Sequence, residues 1–158
     1  MRKICVVIAN RAEYSRLKSI LKAIQENKEL RLILIGTSAL ILEEYGKTID
    51  AITKDGFKVD AVARTMISGG DLASMAKSVG LCCLELPSLY EIFKPDIIIV
   101  GFDRYDSFGA AITAALMNIP LAHIQGGELT GTIDESIRHA MTKLATSTFH
   151  QPKKVQKE

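Results

Sequence analysis

Two stretches of this sequence gather acids, cations and glycines directly after runs of apolar residues, and both could carry proton-transfer chemistry. Ile97-Ile98-Ile99-Val100 runs into Gly101-Phe102-Asp103-Arg104-Tyr105-Asp106. A carboxylate at the end of such a run could act as a general base; equally, Asp103 could cap the next helix and pair with Arg104. The second stretch is His123-Ile124-Gln125-Gly126-Gly127-Glu128-Leu129-Thr130-Gly131-Thr132-Ile133-Asp134-Glu135-Ser136-Ile137-Arg138-His139. It leaves a strand, crosses a glycine-rich loop and enters a helix. Gly126, Gly127 and Gly131 allow close backbone approach, while Asp134, Glu135 and Arg138 fall on adjoining faces of the helix's first turns. The expectation is that carboxylates and a guanidinium converge on one crevice. Thr132 or Asp134 could instead be an N-cap, with Glu135 favouring the helix dipole. His139, and His123 inside its strand, fit hydrogen-bonded core histidines as well as catalytic ones.

A third element is Asn10-Arg11-Ala12-Glu13-Tyr14, which follows the first apolar run. It has no GxGxxG fingerprint, so a dinucleotide cofactor is not expected. A guanidinium beside a helix N-terminus adds charge and N–H donors to the macrodipole, a combination suited to a diphosphate. Arg11 could also be an exposed side chain paired with Glu13.

The elements that must position these residues follow from periodicity. Short β-branched runs at residues 4–9, 31–36, 59–63, 97–100 and 120–123 read as strands. Between them, residues 13–27, 71–93, 107–117 and 134–146 place apolar side chains at helical spacing, as in Leu17, Ile20, Leu21 and Ile24. Alternation of this kind predicts an α/β fold with a Rossmann-like, doubly wound parallel sheet. Near-continuous hydrophobicity at Ile97-Ile98-Ile99-Val100 requires a strand buried on both faces, hence a central one. In such sheets ligands gather at the carboxyl ends of the strands, where all three motifs lie.

Composition narrows the rest. At 158 residues and 47% hydrophobic content the chain can bury one core, so one domain over residues 1–149 and a basic tail over 150–158 are expected. Formal charge is +2 without a long basic run, which gives nucleic-acid binding no support. Cys5, Cys82 and Cys83 lack CxxC spacing and a paired histidine, so buried thiols in a reducing compartment are expected, and no metal site. The start of the chain reads as a strand rather than a signal peptide, and no apolar stretch approaches the roughly 20 residues of a bilayer span. A soluble, cytoplasmic protein is the expectation.

Taken together, these motifs resemble the hydrolysing UDP-N-acetylglucosamine 2-epimerases of sialic-acid and related sugar pathways, over essentially residues 1–149. The run from His123 to Leu144 carries the resemblance most specifically. It is supported in order by Arg11-Ala12-Glu13-Tyr14, Tyr45-Gly46, Pro95-Asp96, Asp103-Arg104-Tyr105-Asp106 and Ala115-Leu116-Met117-Asn118-Ile119-Pro120. The resemblance implies one half of a two-domain glycosyltransferase-B-like fold, with the carboxy-terminal nucleotide-binding domain absent from this chain. It implies a UDP-sugar substrate, anti elimination of UDP to 2-acetamidoglucal, hydration to N-acetylmannosamine, and no cofactor. By motif position it gives catalytic duties to Asp103 and Asp134, and substrate contacts to Arg11, Glu135, Arg138 and His139.

Three positions depart from the family pattern: Gln125 replaces a catalytic glutamate of many members, Phe102 a glycine, and Ala39 a histidine. Glutamine cannot exchange a proton as glutamate does, which leaves Glu128 to compensate. Phe102 would narrow the sugar pocket. The resemblance also implies homo-oligomers and completion by a separate carboxy-terminal domain or subunit. Two other readings stay open: a noncatalytic sugar-nucleotide-binding or assembly subunit, and half of a split glycosyltransferase.

Overall fold

The computed structural model describes residues 1–43, 46–127, 129 and 131–150, with only the backbone of Ser38. The predicted strands form as β1 (Arg2–Ile8), β2 (Leu30–Thr37), β3 (Ala61–Ala63), β4 (Ile97–Gly101) and β5 (Leu121–Ile124), and a sixth, β6 (Ser147–Phe149), follows. The predicted helices form as α1 (Arg11–Glu26), α3 (Leu72–Phe93), α4 (Tyr105–Leu116) and α5 (Ile133–Leu144), with an additional short α2 (Thr48–Lys54). All strands are parallel, in the order β3-β2-β1-β4-β5-β6. Chain order reverses direction between β1 and β4, and a crevice opens at that switch point beyond the strand ends.

Period-two alternation sends each central strand's side chains into two cores. Cys5, Val7, Ile33, Ile35, Ile98 and Val100 pack with Cys82, Leu86 and Tyr90 of α3, Ala110, Ala111 and Ala114 of α4, and Met141 of α5. On the opposite face, Val6, Ile8 and Leu34 pack with Leu17, Leu21 and Ile24 of α1 and Ile52 of α2. Burial on both faces is why β1 and β4 read as unbroken apolar runs. Cys5 and Cys82 are buried thiols, whereas Cys83 is half-buried on α3.

Contrary to the expectation of no apolar stretch of spanning length, α3 has 22 residues and is apolar enough, by length and composition, to cross a bilayer. Its few charges, Lys77, Glu85 and Glu91, are spread along the helix rather than ending it. One face, including Ser78, Cys82, Leu86 and Tyr90, is buried.

The contact between α3 and α4 is close enough to require a glycine. A Cβ built on Gly109 would lie 2.4 Å from Cys82 Cβ and 3.3 Å from the Val79 carbonyl. Gly109→Ala is therefore expected to lower stability by about 1–3 kcal/mol through overpacking, although alanine is the better helix former. Urea denaturation checks this: an unchanged or raised midpoint would show that the helices separate freely.

Candidate active site at the carboxyl ends of the strands

At the end of β1, Asn10 caps α1 by accepting the Glu13 N–H on Oδ1 at 3.0 Å, which places Arg11 as the first helical residue. Arg11 is exposed there. At the end of β4, the chain turns through Phe102, a non-glycine residue with φ 69°. Such a conformation costs about 1 kcal/mol or more and persists only where neighbours fix it. They do: the Phe102 N–H donates to the Ile124 carbonyl at 2.9 Å, and its carbonyl accepts from His123 Nε2 at 2.7 Å. His123 Nδ1 in turn accepts from the Thr142 hydroxyl at 3.0 Å. Burial lowers the His123 pKa, consistent with this neutral tautomer. His123 is thus a hydrogen-bonded core residue that fixes the turn leading into Asp103.

Asp103 does not pair with Arg104 or cap α4. Its Oδ2 is ion-paired with Nη2 of Arg138 from α5, a side chain only 3% exposed, while Asp103 is 27% exposed. Arg104 occupies the N-cap position without a side-chain cap and bonds Asp106 at 3.4 Å. The strand end therefore delivers one carboxylate to the α5 guanidinium and keeps a second, Asp106, buried beside Arg104.

A cleft of about 620 Å³ lies at the switch point, lined on one side by Asn10, Arg11 and Ala39, on another by Arg104, Tyr105, Ile133 and Asp134, and closed by Met66, Ile67, Gly70 and Met75. Arg11 and Asp134 thus share one cavity, and Arg138 stands one turn beyond Asp134 on α5. The guanidinium groups of Arg11 and Arg104 and the carboxylate of Asp134, in a cavity of mixed polar and apolar lining, suit an anionic ligand with a neutral ring.

Gln125 faces elsewhere. It lines a second recess of about 630 Å³ with Arg16, Phe102, Ile124, Phe149 and His150. Its Oε1 accepts from Arg16 at 3.2 Å, and Arg16 also sits 4.9 Å over the Phe102 ring. Phe102 therefore borders this recess and does not narrow the Asp134 cleft. Asp103 lies in the chain between Phe102, on the second recess, and Arg104, on the first.

Glu135 accepts the Gly131 N–H, fixing the loop that enters α5, and His139 stands 3.7 Å from Glu135. His139 lines neither cavity. Thr132 is the N-cap of α5, without a side-chain cap, so Asp134 does not cap the helix. Glu128, Tyr45 and residues 151–158 lie outside the described residues. Among the described residues no cluster of three or more His, Cys, Asp or Glu could hold a metal.

Sequence reasoning missed Glu13, which entered only as a partner for Arg11. It is 2% exposed and is bonded instead to Ala9 N–H at 2.8 Å and the Ser107 hydroxyl at 2.7 Å. Its spacing was the available signal: Glu13, Leu17, Leu21 and Ile24 share the buried stripe of α1. Burial, followed by the nearby Asp106 charge, pushes its pKa up to about 8. Asp106 is likewise raised, first by burial, against the lowering effect of Arg104.

Comparison with known proteins identifies the family. The family model described as UDP-N-acetylglucosamine 2-epimerase matches residues 22–158. This chain belongs to the UDP-N-acetylglucosamine 2-epimerase family. Among members of this epimerase family, a GDP/UDP-N,N'-diacetylbacillosamine 2-epimerase (hydrolyzing) of Campylobacter jejuni is 39% identical over 94% of this chain and 38% of its own length. A UDP-N,N'-diacetylbacillosamine 2-epimerase (hydrolyzing) of Legionella pneumophila is 33% identical over 94% of this chain and 40% of its own. The fold matches the crystal structure of UDP-GlcNAc 2-epimerase from Neisseria meningitidis bound to UDP-GlcNAc, with TM-score 0.78 and 20% identity, over 90% of this chain and 38% of that one. The chain thus spans about two fifths of the length of these epimerases. The Rossmann-like fold expected from the sequence is the one found, and it corresponds to one domain of those larger proteins.

Proposed function

We propose that the cleft is the amino-terminal half of the active site of a hydrolysing 2-epimerase acting on a UDP-2-acetamido sugar, with UDP-N-acetylglucosamine converted to N-acetylmannosamine and UDP. One observation carries the reading: Asp103, just beyond β4, meets Arg138 from α5, while Asp134, one turn earlier on that helix, opens into the cavity that holds Arg11. The C2 proton of the sugar is weakly acidic, so a base alone does not suffice. Departure of the diphosphate must build positive charge at C1, which nearby carboxylates stabilise. Asp103 and Asp134 are assigned proton transfer and charge stabilisation in the elimination of UDP and the hydration of the glucal. Arg11, with the N-terminus of α1, receives the diphosphate. Arg138 holds Asp103 in place; Glu135 shapes the loop entering α5, and His139 supports it from the next turn. The Gln125 recess, beside Arg16, is assigned to a part of the substrate away from Asp134.

A relative that carries UDP-GlcNAc in its crystal structure supports the UDP-sugar assignment. A second sugar is favoured by a specific finding: the relatives at 39% and 33% identity are named for N,N'-diacetylbacillosamine. Most nucleotide contacts are assigned to a carboxy-terminal domain, supplied by a longer chain or a separate subunit. The purified chain, offered either UDP-sugar, is therefore expected to show no more than trace conversion. Robust release of N-acetylmannosamine or its 2,4-diacetamido counterpart by the chain alone would overturn this division of labour.

A further inference from the structure

Glu13 joins two walls of the cleft that are remote in sequence. Its Oε2 accepts the Ala9 N–H at the end of β1, two residues before Arg11. Its Oε1 accepts the hydroxyl of Ser107, in the first turn of α4 beside Arg104, Tyr105 and Asp106. Both partners are themselves buried, so water cannot replace either link without opening the structure. The charged groups that act on this carboxyl are Asp106 and Arg104 from α4, and Asp134 from α5 acts on Asp106 in turn.

We propose that Glu13 is a positioning residue of the cleft: a buried carboxyl that fastens the turn carrying Arg11 to the helix start carrying Arg104 and Asp106, so that its protonation state is felt on both walls together. The two hydrogen bonds fix how this works. The Ala9 N–H can only donate, so the oxygen facing it stays an acceptor in either state. A proton taken up by Glu13 therefore sits on the oxygen facing Ser107 and reverses that bond, and the hydroxyl turns from donor to acceptor. The Ser107 hydrogen must then turn to a different acceptor, which carries the change into the first turn of α4. A neutral Glu13 also leaves the arginines of the cleft less compensated, and so favours an anionic ligand there. Burial, then the Asp106 charge, raises the Glu13 pKa against the lowering effect of these two hydrogen bonds. The inference rests on the epimerase reading only in taking these walls for the substrate site.

The test is a pH titration of the 158-residue chain by NMR, following the glutamate side-chain carboxyl carbons together with backbone amides. The expected result is a Glu13 carboxyl that titrates well above the other glutamates, near 8, with the Ala9, Arg11, Arg104 and Asp106 amides shifting over the same interval. Glu13→Gln keeps both links, since its carbonyl accepts from Ala9 and its amide donates to Ser107. It should retain a folded spectrum and lose the step on both walls. Ser107→Ala should keep the step at Ala9 and Arg11 and abolish it at Arg104 and Asp106.

Stability gives a second readout. A carboxyl with a raised folded-state pKa contributes stability that is complete below its unfolded value and is lost as pH rises from there through about 8. That loss should be smaller in Glu13→Gln. An ordinary carboxylate pKa for Glu13, shifts confined to one wall, or a step that survives Glu13→Gln would overturn the proposal. Should Glu13→Gln fail to fold, the wild-type titration and Ser107→Ala decide it. None of these readouts depends on turnover, so failure of the epimerase reading leaves them intact, and their failure leaves that reading standing.

Discussion

Arg138→Met is expected to lower the unfolding free energy by about 3 kcal/mol, near the lower end of the range for breaking a buried ion pair. The guanidinium is 3% exposed, but Asp103 is 27% exposed, so water recovers part of the stranded carboxylate's solvation. Asp103→Asn combined with Arg138→Met should then be less destabilised than Arg138→Met alone, because no unpaired charge remains. Urea denaturation of the four combinations isolates the coupling between the two side chains. A loss below about 1 kcal/mol for Arg138→Met would class the pair with solvent-exposed ion pairs and remove the anchor proposed for Asp103.

Asp134→Asn, in the chain joined to a carboxy-terminal domain of the family, is expected to reduce kcat by about 10²–10⁴ with little change in folding. The substitution keeps volume and removes the proton-transfer group. Asp134 stands in the first turn of α5, so losing its charge should cost only about 0.3–1 kcal/mol of dipole interaction. Unchanged turnover alongside that small loss of stability would reduce Asp134 to a dipole role.

The same physics explains what could be read from the sequence. Strands β1, β2, β4 and β5 announced themselves because burial on one or both faces demands apolar residues. Strand β6 did not: Ser147-Thr148-Phe149 is short and lies at the sheet edge, where only one neighbour constrains it. Helix α2 was also silent, being 7 residues long and starting from Lys47 in a left-handed conformation without a side-chain cap.

At the site, chain order gave the strand ends but not which partners meet there. Asp103 next to Arg104 reads as a local pair, yet the buried guanidinium 35 residues away takes that carboxylate, and Arg104 turns to Asp106. Gln125 follows its strand as Asp103 does, but a left-handed backbone at φ 67° and the bond to Arg16 belong to the second recess. Glu13 was obscured because a glutamate in a first helical turn is ordinarily explained by the macrodipole. Its place on the apolar stripe pointed inward, and only the fold could show Ser107 waiting there.

Elimination at this site requires Asp103, just beyond β4, and Asp134 of α5 to move a proton at C2 of a nucleotide-bound sugar. Proton NMR in heavy water, with UDP-N-acetylglucosamine and with its diacetamido counterpart, reads that event directly. The chain supplemented with a carboxy-terminal domain should release UDP and a 2-epimerised sugar carrying deuterium at C2, and Asp134→Asn should suppress both. UDP released with a sugar that keeps its C2 proton, or the sugar passed intact to an acceptor, would contradict elimination at this site.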